Sequence, residues 1–332
     1  MQLGAFVLIP QGSDPPQRSV LESERDGSAA PPLPLWPIVG KNLLQEWIDK
    51  VRQAGAQMLS VAYSVNPAAD RIKIASHLAK EGVEQVLAIW LQSYAEIDLR
   101  DFVHFHRESR NSATEARDLD GPLGVEIVDR ASLASENYVP VQHAAVSRSE
   151  YRFHGYAKRL QSPQLYCDLV ADALRGQCAL TPRGLQIDER VWIGEGTRIA
   201  GTVRFRGPCF VGDGTVLRDS VSLGPFSSVE KECLIDCGTT VERTTVLPNT
   251  LLAAGLSIRR SVVDGSCLEQ LDSGTVIDLR ASRLGRRFRP SSRARRNLDG
   301  GHQPSASDRT LYSCYRLDRA SSMVARTATD FR

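Results

Sequence analysis

The side chains best suited to chemistry in this chain are scattered, and their spacing excludes more than it offers. Six histidines stand at His77, His104, His106, His143, His154 and His302. His104 and His106 lie two apart in a stretch of helical pattern, so they project from different faces and do not form a metal pair. Packing for one and exposure for the other is expected. Seven cysteines make an odd number, without a C-x-x-C or a Cys/His spacing that suits zinc. Reduced structural thiols in a cytoplasmic protein are the reading. No G-x-S-x-G and no Walker-type loop is present.

Arginine is the one chemical type that clusters. "RASRLGRRFRPSSRARR", 280–296, holds eight arginines in seventeen residues. From Arg280 onward thirteen arginines face four acids, a net +9, so residues 1–279 carry −7. The tail, 281–332, is rich in Ser and Arg and is expected to be disordered. Phe288 is nearly alone as an interleaved aromatic, and no nucleic-acid module is recognisable, so a nucleic-acid partner is not expected. No run approaches the ~18 apolar residues of a membrane span. "LGAFVLIP" lacks a basic n-region and reads as a buried first strand rather than a signal peptide.

The elements that must position any site alternate in type. "QMLSVAYSV" and "VEQVLAIWL" read as strands, and 43–51, 67–81, 98–109 and 162–176 as helices. Asp98 is the expected N-cap, and Ser162–Pro163 and Gly176 bracket the last helix. Strand–helix alternation predicts an α/β layer with a mainly parallel sheet.

From Ile187 a different rule takes over. Every sixth residue, Ile187, Ile193, Ile199, Phe205, Val211, Leu217, Leu223, Val229, Ile235, Val241 and Leu247, is apolar. At the chain's composition, chance gives about 10⁻⁴ for one frame. The residue two before each, from Val191 to Thr245, is small, and Cys209 and Cys233 fall on that position. Period six marks a hexapeptide-repeat parallel β-helix, three hexads to a coil, with the large side chain pointing inward. The frame is lost after Leu247, where an irregular cap is expected. A hexapeptide-repeat acyltransferase would need a histidine base there, and none lies between 185 and 280.

An α/β domain followed by hexapeptide repeats resembles the sugar-1-phosphate nucleotidylyltransferases of the mannose-1-phosphate guanylyltransferase and glucose-1-phosphate adenylyltransferase type. The resemblance rests on "PLPLWPIVGKNLLQEWIDKVRQAG", "EIDLRDFVHFHRE" and "FHGYAKRLQSPQLYCDL", and covers about residues 1–280. It implies a nucleotidyltransferase-like (Rossmann-like) α/β domain over 1–178 and a left-handed β-helix over 179–280. It also implies a nucleotide or sugar phosphate as ligand, Mg²⁺ if the protein is active, and nucleotide-sugar or surface-polysaccharide metabolism as context. Of the family's phosphate loop only Gly12 remains, with Arg18 within reach of a phosphate, and Lys41 matches the family lysine. Pro10 stands where an N–H donor is wanted. Gln92, Ser93 and Tyr94 occupy the place of the first metal aspartate, with Glu96 and Asp98 the nearest carboxylates, and Arg159 aligns with the second. A cation there repels Mg²⁺. The expectation is a pyrophosphorylase-like pseudoenzyme, with no catalytic residue assigned, that oligomerises through its repeats. A hexapeptide-repeat acyltransferase or a non-catalytic scaffold or regulatory subunit stays open beside it.

Overall fold

Residues 2–10, 32–64, 67–133, 148–279, 285–287, 312–316 and 324–327 are described by the computed structural model. They divide into two compact units. The first holds 2–10, 44–160 and the strands at 312–316 and 324–327; the second holds 32–43, 161–279 and 285–287. Gly12 and Arg18 lie outside the described residues, as does most of the basic tail. Among the described residues no helix is long and apolar enough to cross a membrane.

The first unit is built on a mixed sheet. Continuous apolar runs make β1 (Leu3–Pro10), β2 (Met58–Ser64) and β3 (Gln85–Trp90), which lie parallel in the order β2-β1-β3. The crossovers carry α1 (Leu43–Gln53) and α2 (Pro67–Lys80). Phe6, Leu8, Ile74, Leu78 and Val86 fill one face. The predicted mainly parallel sheet needs correction on its other side. After the short β4 (Ser93–Ala95) and the helix α3 (Leu99–Ser109), β5 (Ala113–Asp118) and β6 (Gly121–Asp129) form an antiparallel hairpin. β6 pairs antiparallel with β3. The hairpin turn is "DLDG", a residue set that favours reversal, between segments of alternating polarity. β7 (Arg148–Arg152) then adds parallel to β5, and β8 (Ala157–Arg159) pairs with β4. Asp98 caps α3 as expected, accepting from Arg100 N at 2.8 Å. His106 is buried between Thr114 and Asp129 while His104 faces solvent beside Glu108. Where the tail is described it is strand: Tyr312–Arg316 pairs antiparallel with β2, and Val324–Thr327 pairs with it in turn.

The first unit also holds α4 (Arg130–Leu133); the second contains α5 (Pro163–Arg175), capped by Ser162 and ended by Gly176 in the left-handed region. It then forms stacked parallel strands. Three ladders repeat in step, and in each of them the register advances by 18 residues and then by 17. Val211, Val229, Val246 and Val263 fill one column of the core; Leu217, Ile235 and Leu252 fill a second; Leu223, Val241 and Ile258 fill a third. The hydroxyls at the small positions explain their residue type. Thr215 Oγ1 donates to Glu230 O at 3.0 Å and accepts from Cys233 N; Thr239 Oγ1 does the same with Ala253 O and Leu256 N. Each thus ties one coil to the next where backbone groups need partners. Gly212 is required for a different reason, since a Cβ there would lie 2.5 Å from Lys231 N.

Two predicted positions are corrected. Ile187 does not begin the core: it sits on Leu185–Asp188, which runs antiparallel to Val191–Ile193, and is 51% exposed. The frame also does not end at Leu247. One residue drops out between Val241 and Val246, so Val246 takes the core column, and the six-residue step resumes through Leu252 and Ile258.

Candidate functional site

The strongest candidate is the place where two distant stretches of sequence meet beyond the end of β3. After Trp90 the chain turns at Leu91–Gln92 and enters β4, which pairs antiparallel with β8 in the register Ser93↔Arg159, Tyr94↔Lys158, Ala95↔Ala157. Leu160 N donates to Gln92 O at 2.7 Å and Glu96 N to Tyr156 O at 3.0 Å, which extend the ladder at both ends. Ser93, among the three residues compared above with a first metal aspartate, and Arg159, compared with the second, are therefore cross-strand neighbours.

Ser93 and Arg159 are both bonded within the protein. Ser93 Oγ donates to Leu123 O at 2.6 Å, and Ser93 O accepts from Trp47 Nε1 at 3.3 Å. Arg159 grips Asp118 with two nitrogens, at 2.6 and 3.1 Å, and lies 3.8 Å from Asp120. That bidentate bond holds the Asp118 carboxyl below its ordinary range. The hairpin brings Asp118 into position, and Gly124 lets it pass Trp90, where a Cβ would meet the Trp90 carbonyl oxygen at 3.0 Å. A hydroxyl, a guanidinium and one carboxylate already neutralised by it do not fit a divalent cation, which takes several anionic or carbonyl oxygens. Lys50 of α1 adds a second cation nearby. Its Nζ donates to Ala95 O at 2.5 Å and lies 5.7 Å from the Tyr94 ring, and burial lowers its pKa against the pull of Glu46, Glu96 and Asp98.

A cluster not foreseen from the sequence sits at the carboxyl edge of the parallel strands, where open α/β sheets place their ligands. Ser64 closes β2 and donates to Asp70 at 3.0 Å. Arg71, 2% exposed, binds Glu126 at 2.7 Å and stacks 4.8 Å from the Trp90 ring. Burial lowers the Arg71 pKa to about 10 and raises that of Glu126, yet the guanidinium remains charged at neutral pH. An early-helix arginine gives no sequence signal of burial; only the antiparallel β6 supplies its carboxylate.

Lys41 lies in the second unit. It closes the tight turn Ile38–Lys41, whose two backbone bonds are 2.8 and 2.9 Å, and it is half-buried. Val39 and Gly40 both have positive φ, and their N–H groups point at Glu230, with Gly40 N 3.0 Å from Oε2. Glu230 is 1% exposed, also accepts from Ser228 Oγ at 2.8 Å, and has its pKa pushed up to about 8, chiefly by burial. It occupies the coil position that Gly194 and Gly212 hold in earlier coils. That break in a glycine column is the signal in the sequence that could have found it. Tyr166 completes the clasp, donating to Pro37 O with its ring edge-on to Trp36 at 5.2 Å.

Compared with known proteins, the chain matches no protein-family model and no curated sequence.

Proposed function

We propose that this protein is a sugar-nucleotide pyrophosphorylase-like protein that has lost transferase chemistry and acts as a nucleotide- or sugar-phosphate-binding subunit. The observation that carries the reading is the pairing of Ser93 with Arg159. Ser93, one of the three residues at the place of the first metal aspartate, neighbours Arg159 at the place of the second, which supports the alignment, and neither is a carboxylate. In this reading the stacked ladders are a left-handed parallel β-helix, and their flanks offer the surface for oligomer formation. Phosphoryl transfer depends on positioning and on neutralising charge at the phosphates. Lys50 and Arg159 are the cations nearest that place, and a phosphate would compete with the Ala95 carbonyl and with Asp118 for them.

The test is a panel of sugar 1-phosphates with nucleoside triphosphates and Mg²⁺, scored for pyrophosphate release and for binding. The expected result is no release and no Mg²⁺-dependent gain in affinity. Arg159→Asp should lower the melting temperature, because Asp118 loses its partner at a cost of about 3 kcal/mol, and Mg²⁺ should restore part of that loss. Turnover by the native chain would overturn the reading; absence of any Mg²⁺ effect on the variant would overturn the alignment.

A further inference from the structure

A separate pocket lies within the second unit, between α5 and the corners of the stacked coils. It has a volume of about 90 Å³, and Arg175, Arg243 and Arg260 converge on it around Phe226. Arg175 lies 4.3 Å from the Phe226 ring and Arg243 lies 5.6 Å from it. Arg175 and Arg260 have carboxylate partners, Asp172 at 3.3 Å and Asp272 at 2.6 Å, but both arginines are partly exposed, so those pairs are weak and leave N–H donors available. Arg243 has no carboxylate within ion-pair distance among the described residues. Asp168 is the one acid in the wall, and Gln164 donates to it at 2.9 Å.

The backbone repeat sets three of these side chains in one column. Phe226, Arg243 and Arg260 recur at the same corner of successive coils, with φ of 56, 48 and 47°. That is the left-handed region, which favours Gly and Asn. The chain accepts that conformation three times and each time places there a side chain that turns toward the same pocket. The conformation is general to such corners, since Arg190, Ser220, Glu232 and Asn249 share it; what sets these three apart is that their side chains line one cavity.

We propose that this pocket binds the phosphoryl group of a phosphate ester or free phosphate. Three guanidinium groups match a tetrahedral oxyanion through paired N–H donors. The pocket opens to solvent, so the rest of an ester would project outward. The proposal stands apart from the transferase reading and survives its failure.

The experiment uses the full chain at low ionic strength, with inorganic phosphate titrated by calorimetry and by thermal melting, and sodium chloride at matched ionic strength as control. Glucose 1-phosphate beside glucose separates an ester from the free ion: tighter binding of the ester than of phosphate identifies an ester site, and equal or weaker binding identifies a site for the free ion. Saturable phosphate binding is expected, with Kd rising tenfold or more in Arg243→Gly. Glycine suits φ 48°, so that variant should melt no lower than the native chain without ligand. Arg260→Gln should weaken binding similarly and serves if the first variant does not fold. The proposal is overturned if chloride shifts the melt as much as phosphate, or if neither substitution changes Kd.

Discussion

Glu230 shows how a single residue couples distant parts of the second unit. Its carboxyl receives N–H groups from a turn 190 residues away, in a place that water does not reach. Those bonds favour the charged form, and burial outweighs them, so the folded pKa lies near 8 against an ordinary 4.5. The sign follows from linkage. Below about pH 4.5 the group is protonated in both states and contributes no penalty. Between 4.5 and 8 the folded state holds a proton that the unfolded state has released, so stability falls as pH rises, by a few kcal/mol in total. Above about 8 the penalty is complete. Glu230→Gln keeps an acceptor for the turn and removes the titration. Its melting temperature should therefore change little near pH 5 and exceed that of the native chain at pH 8 to 9, measured by calorimetry across that range. A native-like decline of the variant over the same range would show that another group titrates.

At the scale of elements, the stacked ladders divide apolar residues that the sequence treats as equal. Val211 and Ile187 both belong to the period-six series, but Val211 is fully buried between neighbouring rungs and Ile187 lies on an antiparallel strand at the end of the stack. Val211→Asp buries an unpaired charge and should remove the cooperative melt, a loss above about 4 kcal/mol. Ile187→Asp should stay within about 1 kcal/mol of the native protein. Equal melting curves for the two variants would contradict the inward assignment. The same ladders explain why the frame slip is tolerated. All three shorten together, so the columns of core side chains stay aligned although one residue is missing per coil. Corner residues absorb the deletion, and Thr244 takes up the bridging role with Ser261 N at 3.3 Å.

At the scale of the whole chain, the basic tail contributes a strand rather than only charge. Tyr312–Arg316 covers β2, whose other neighbour is β1. A chain ending at residue 304 would leave β2 as an open edge, with a row of unpaired N–H and C=O groups next to an apolar strand. The shortened chain should melt lower than the full one and scatter light at concentrations where the full chain does not. Identical melting and scattering would mean that the edge strand contributes nothing to stability.

Much of this architecture is legible in the residues alone. Asp98, Ser162 and Gly176 mark helix ends because capping depends on neighbours three residues away. The six-residue series marks flat strands and corners because each hexad repeats the same local demand for one bulky and one small side chain. Tertiary structure alone decided the rest: that Ser93 faces Arg159, that Arg71 finds Glu126 under Trp90, that Ile187 turns outward, and that Glu230 reaches Gly40. Local rules fix a residue's conformation by steric contact within a few positions, whereas these pairings depend on which strand lies beside which, and that is settled by burying apolar surface over the whole unit.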